Sequence, residues 1–66
     1  MEVKYPHVKV RLVGVDSNAF VVIGTCIKAA RRAGLSNEQI EEFRKEASSG
    51  DYDKVLQTCI AYFNVS

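Results

Sequence analysis

The sequence lacks an excess of charge of either sign. Nine Lys and Arg residues stand against eight Asp and Glu residues, which leaves a formal net charge of +1. Because positive and negative charges are nearly equal in number, the chain as a whole has no net attraction to nucleic acid or to an anionic membrane. Long apolar runs are missing too, because the longest, residues 19–27, is interrupted by Gly24 and Thr25 and has about half the length needed to cross a bilayer. We therefore expect no membrane span and no membrane partner, and any charged binding surface has to be local.

Residues that bind metals or form redox centres are also scarce. His7 is the single histidine, and the two cysteines, Cys26 and Cys59, form no Cys-x-x-Cys pair and stand apart from it in the sequence. Both cysteines fall within apolar patterns, which predicts buried reduced thiols rather than a disulfide or a zinc site. We expect no metal and no cofactor. The first residues lack the apolar run of a secretory signal, which predicts a cytoplasmic location.

At 66 residues the chain has room for one small globular domain, which we place at residues 1–66. Its first regular element is a predicted strand at residues 8–13. There Val8, Val10 and Leu12 alternate with Lys9 and Arg11, as in a strand with one buried face. Pro6 is expected to mark the strand's entry, and the turn and helix-capping residues at 14–18 are expected to end it.

Three helices are predicted after the strand. Residues 19–33 place apolar side chains, Phe20 among them, over about half of a helical surface, which predicts the central core helix, and Gly34 suits the left-handed position beyond its end. Residues 37–48 follow a capping box of Ser36 and Gln39 and bury only a narrow stripe. A third helix begins after the cap Asp51, and its predicted core arc is Tyr52, Val55, Leu56, Cys59, Ile60, Tyr62 and Phe63.

The predicted fold is therefore α+β, with one N-terminal strand followed by three helices. A lone strand leaves its backbone hydrogen bonds unsatisfied, and two partners are available. Residues 63–66 would straighten into a short C-terminal strand, or the same strand of a second copy would pair with it. We favour the second copy, because four terminal residues make a poor partner and a small domain gains from further burial. This choice predicts a homodimer.

Three groups of residues are candidates for function. Basic side chains lie on the outer strand face and on the polar side of the first helix, and they form one binding surface if the fold brings them together: Lys9, Arg11, Lys28, Arg31 and Arg32. Otherwise they are a solvated face. Polar clusters at 16–18 and 49–53 are explained by helix capping. Residues 30–43 have the spacing of a helix-turn-helix, but four glutamates on the second helix would repel DNA.

Three short segments form a recognisable pattern. Their residues are Gly14, Asp16, Asn18, Ala19 and Phe20, then Ala30, Ala33, Gly34, Leu35 and Ser36, and then Glu46, Ala47, Ser49, Gly50, Asp51, Tyr52 and Leu56. In this pattern the chain resembles a group of short uncharacterised bacterial and phage-associated proteins with no established activity. The resemblance covers the chain from about Val8 to its end. It implies a compact single-domain protein and assigns no catalytic or binding residue.

The sequence offers no nucleophile with an activating base and no phosphate-binding loop, so we do not expect an enzyme. It favours a non-catalytic protein-interaction or assembly module with an unidentified protein partner. The alternative is a small nucleic-acid-associated accessory protein that uses the basic helix face.

Overall fold

The computed structural model describes residues 2–12, 14 and 18–66. Two strands enclose three helices in chain order, which confirms the predicted α+β class with its short C-terminal strand. Among the residues described, no helix combines the length and the apolar character required to cross a membrane. The elements are β1 Tyr5–Val10, α1 Ala19–Arg32, α2 Asn37–Ala47, α3 Tyr52–Tyr62 and β2 Phe63–Val65.

The two strands pair in parallel within one chain. Beyond the ladder itself, Ser66 N–H donates to Val10 O at 2.9 Å and Leu12 N–H donates to Ser66 O at 3.2 Å. Parallel strands need a long crossover, and here the three helices provide it. Of the two partners left open by the sequence, the C-terminal residues are the one observed, so β1 does not depend on a second copy for its backbone hydrogen bonds.

The limits of β1 differ from the prediction of residues 8–13. The strand begins at Tyr5 and ends at Val10, while Val13 lies outside the described residues. Pro6 is therefore inside the strand rather than at its entry. The ladder is irregular between Tyr5 and Lys9, where the proline has no N–H to donate. The predicted alternation is confirmed, because Val8 and Val10 are buried while Lys9 and Arg11 are exposed.

Helix α1 begins after Asn18, whose side chain accepts a hydrogen bond from Phe20 N–H at 2.8 Å; Asp16 and Ser17, predicted with it as capping residues, lie outside the described part. Its buried residues, Val22, Cys26 and Ala30, recur every four positions and form one narrow stripe. The prediction that Phe20 faces the core is wrong, since this side chain is 85% exposed. It lies about 120° around the helix from the centre of that stripe.

Helix α2 agrees closely with its prediction. Ser36 and Gln39 form the reciprocal capping box, and Ile40, Phe43 and Ala47 are the buried stripe. On its exposed side, Glu41 pairs with Arg44 at 2.8 Å. Helices α1 and α2 meet through a tight turn in which Gly34 has a φ of 92°, the left-handed conformation expected of it.

Helix α3 begins after Asp51, whose carboxylate accepts from Lys54 N–H at 3.2 Å. Its buried side includes Val55 and Cys59, as predicted, but Ile60 is 59% exposed. Thr58, which is not part of the predicted core arc, is buried. Its hydroxyl donates to Lys54 O at 2.7 Å, which removes the penalty for burying a polar group. Tyr52 was also predicted to face the core, but its side chain is exposed.

The core lies between the helices and the inner face of the two strands. Its centre is aromatic: the Phe43 and Phe63 rings are 4.9 Å apart, and the Phe43 and Tyr62 rings are 5.5 Å apart. Tyr62 O–H also donates to the Glu42 carboxylate at 3.2 Å, which Lys4 pairs with as well. The aromatic centre thereby joins α2, α3, β2 and the start of the chain.

Gly34→Ala and Gly24→Ala should have opposite effects on stability. No atom lies within 4 Å of a Cβ built at either site, but only Gly34 has a positive φ. We expect Gly34→Ala to lower the free energy of unfolding by about 1–2 kcal/mol. Gly24→Ala, within α1, should raise it by about 0.5–1 kcal/mol. Urea denaturation followed by circular dichroism measures both, and equal effects would contradict this conformational explanation.

Candidate functional site

A shallow groove of about 280 Å³ runs between β1 and α1. The strand side contributes Lys9, Val10 and Arg11, and the helix side contributes Thr25, Lys28, Ala29 and Arg32. No residue of β2 lines it. We call this feature, with these seven residues, the basic groove. It is the candidate functional site because it gathers most of the basic residues that the sequence singled out.

Simple periodicity explains how each cation reaches the basic groove. Lys9 and Arg11 are two positions apart in an extended segment, so they project from the same face. On α1, Thr25, Lys28 and Arg32 are three and four positions apart, which places them on one side of the helix. This side lies about 110–130° around the helix from both the buried stripe and the side that exposes Phe20. The groove therefore forms where the polar flank of α1 meets the outer part of β1.

Within the described part of the chain, the basic groove is lined by four cations and by no carboxylate. The ion pairs of that part are Lys4 with Glu42 and Arg44 with Glu41, and neither includes a groove cation. Thr25 contributes a hydroxyl to the described lining, and it donates to Val21 O at 2.8 Å. Lys9, Arg11, Lys28 and Arg32 are all exposed, which leaves them able to meet an anionic ligand.

Arg31 is the exception among the predicted binding residues. It is exposed in the last turn of α1 but does not line the basic groove, because one residue along a helix is a rotation of about 100°. The structure thus unites four of the five predicted cations and leaves Arg31 on another face. Alternation within each element was visible in the sequence, whereas the packing of α1 beside β1 was not.

The cations of the basic groove can bind anions. Lysine and arginine donate hydrogen bonds to carboxylates and phosphates, and arginine can engage either anion with two parallel bonds. Among the described lining residues there is no thiol or carboxylate, and the hydroxyl of Thr25 already donates to Val21 O. Its shallow shape also suits a segment of a larger partner better than a small enclosed molecule.

The polar clusters at the helix starts have the structural role predicted for them where they are described. Asn18 and Asp51 both accept backbone N–H groups of the helices they precede. In the described ranges, no three His, Cys, Asp or Glu side chains gather closely enough to hold a metal ion. The glutamates of α2, namely Glu38, Glu41, Glu42 and Glu46, are all exposed, which keeps this helix unsuited to contact with DNA phosphates.

A second cleft was missed by sequence reasoning. Phe20 and Ile23 of α1 meet Arg44, Lys45 and Ser48 at the end of α2, around a space of about 440 Å³. The signal that could have shown it is the width of the apolar arc of α1, which is larger than the stripe a helix needs to contact its neighbours. The exposed phenylalanine occupies the part of that arc that nothing covers in the described chain.

Comparison of the chain with protein-family models, with curated proteins and with solved structures gave no match. The resemblance to short bacterial and phage-associated proteins therefore stays a prediction, and the functional argument depends on the basic groove.

Proposed function

We propose that this protein is a non-catalytic interaction module that binds an acidic segment of another protein in the basic groove. The supporting observation is that Lys9, Arg11, Lys28 and Arg32, which come from two separate parts of the chain, line one groove, with no carboxylate among its described lining residues. The overall charge is only +1, so attraction to an anionic partner is local to this groove. Electrostatic complementarity of this kind orients a partner and speeds its association.

The strand beside the groove favours an extended partner segment. The sheet of the described residues has two strands, β1 and β2, so β1 has one edge without a strand neighbour. Val10 O and Leu12 N–H are directed to Ser66, and backbone direction alternates along an extended chain, which turns the N–H and C=O of Arg11 toward the other edge. A partner strand would hydrogen-bond there while its acidic side chains meet the cations.

Nucleic acid is the second candidate partner, because the same four cations would also contact phosphates. The composition of the basic groove is less favourable to it. No aromatic side chain is found among the described residues that line the groove, whereas sequence-independent binding of single strands relies on bases stacking on aromatic rings. We therefore rank nucleic acid second as the partner of the basic groove and include an oligonucleotide in the test.

Two charge-matched double variants test the role of the basic groove. Lys28→Glu with Arg32→Glu reverses two groove cations, and Arg31→Glu with Lys45→Glu reverses two exposed cations outside it. Using fluorescence anisotropy at low salt and a labelled peptide of alternating Glu and Val, we expect the first variant to bind at least about tenfold more weakly, because like charges then oppose the ligand. The second variant should stay within about threefold of the parent protein.

Equal weakening by the two variants would contradict the proposal, because it would show that only net charge matters. A labelled single-stranded oligonucleotide is titrated in parallel with each protein. If it binds more tightly than the peptide, and only the groove variant loses that binding, the nucleic-acid alternative replaces the peptide proposal. Circular dichroism of both variants confirms that each is folded before binding is compared.

The homodimer stays a prediction with a weaker argument than before. Its first reason was an unpaired strand, and β2 now supplies that partner within the chain. Pairing of two open β1 edges would also bring Lys9 and Arg11 of both copies together, which like-charge repulsion disfavours. Light scattering after size-exclusion chromatography tests it, and a monomer at high micromolar concentration would remove the dimer.

A further inference from the structure

The two cysteines meet in the middle of the core. Cys26 is on α1 and Cys59 is on α3, 33 positions further along the chain, and their Sγ atoms are 3.1 Å apart. Both residues have no exposed surface and are free thiols in this structure. The sequence predicted their burial correctly but gave no sign that they lie together, since neither their spacing nor their neighbours form a recognised cysteine motif.

We infer that Cys26 and Cys59 form a reversible disulfide that links α1 to α3. A disulfide needs its two sulfurs at about 2.05 Å, so from 3.1 Å each sulfur has to move by only about 0.5 Å. The bond would join two helices that already pack together across the core. This inference is independent of the proposed function, because neither sulfur lines the basic groove.

Thiol–disulfide exchange with a small-molecule disulfide, such as oxidised glutathione, provides a balanced route. The thiolate of Cys59 attacks one glutathione sulfur, the S–S bond of the reagent breaks, and one glutathione leaves as its thiolate. Cys26 loses its proton and attacks Sγ of Cys59, which releases the second glutathione. The two protein thiols are oxidised to one disulfide, and the reagent is reduced to two thiols.

The environment of the pair supports the order of these steps. A hydrogen bond shared by the two sulfurs stabilises a thiolate on Cys59 and lowers its pKa, although burial opposes that shift. The same hydrogen bond, together with burial, raises the pKa of Cys26. Because both sulfurs are enclosed, exchange requires α1 and α3 to separate briefly. The equilibrium, rather than the rate, is therefore the property to measure.

Glutathione redox buffers test the inference most directly. The protein is equilibrated at several ratios of oxidised to reduced glutathione, once in native buffer and once in concentrated guanidinium chloride. Exchange is then quenched with acid, and the mass of the protein is measured by mass spectrometry. The intramolecular disulfide is recognised by the loss of two hydrogens without a glutathione adduct. We expect the equilibrium constant for its formation to be about 100-fold larger in native buffer, because the fold holds the sulfurs together.

An equal or smaller constant in native buffer would overturn the inference, as would chain-to-chain disulfides in place of the internal bond. Cys59→Ala is the control, since it can form only a mixed disulfide with glutathione and must not show the loss of two hydrogens. Melting followed by circular dichroism is the second readout. The oxidised protein should melt about 10–20 °C above the reduced protein, and a lower melting temperature would also contradict a bond that fits the native fold.

Discussion

Replacing Phe43 with alanine should remove a large part of the protein's stability. The side chain has no exposed surface, and its ring packs against both Phe63 and Tyr62. Losing such a ring removes its transfer free energy and leaves a cavity, which together lower the free energy of unfolding by about 3–5 kcal/mol. The total free energy of unfolding of a domain this size is about 3–10 kcal/mol, so the expected loss is a large part of it.

Phe20→Ala is the matched control for this prediction. The two variants remove the same group, but Phe20 is 85% exposed, so its loss should change stability by less than about 0.5 kcal/mol. Urea denaturation of both proteins under reducing conditions, followed by circular dichroism, measures the difference. Similar destabilisation by the two substitutions would show that the aromatic centre of the core is not where the structure places it.

Val8→Asp should unfold the protein at neutral pH. Val8 is buried in the strand that pairs with β2, and burying its side chain contributes about 1.5–3 kcal/mol. The substitution removes that term and places an unpaired carboxylate in the core, which costs several kcal/mol more. The sum is comparable with the whole stability of a domain this small.

The pH dependence separates the charge from the lost packing. Burial would raise the pKa of the new carboxyl above its unfolded value of about 3.9, so the charge penalty is present at neutral pH and disappears as the pH falls toward that value. The stability gap between Val8→Asp and the parent should therefore narrow on acidification. Lys9→Asp, on the exposed face of the same strand, should cost less than about 0.5 kcal/mol. A gap that does not change with pH would contradict burial of the carboxyl.

The elements best predicted from the sequence are those fixed by local interactions. Helix α2 has its start defined by Ser36 and Gln39, which bond each other's backbone within one turn. Its narrow apolar stripe leaves one possible buried face. The position of Gly34 was also predictable from local sequence. Its positive φ is the conformation that ends a helix, and this requires no contact with the rest of the fold. Neighbours in the sequence supply every atom on which these predictions depend.

Helix α1 and helix α3 show where such reasoning fails. An apolar arc on a helix predicts which side chains tend to be buried. The elements packed against α1 cover only part of that arc, and Phe20 lies on the part that stays exposed. On α3, Ile60 is exposed and Thr58 is buried for the same reason, namely that only part of the helix surface is covered. The choice of β2 as partner for β1 was open as well, because a strand's edge can pair with any extended segment and only the path of the three helices brings Phe63–Val65 alongside.

The sequence by itself determined the α+β class, the helix caps Ser36 and Asp51, the stripe of α2 and the five basic residues to consider, because periodicity and capping act over one or two turns. Only the tertiary structure decided that Lys9 and Arg11 share a groove with Lys28 and Arg32 while Arg31 does not, and that Cys26 meets Cys59. These pairings depend on how separate elements pack together, and packing is settled by the whole core rather than by neighbouring residues.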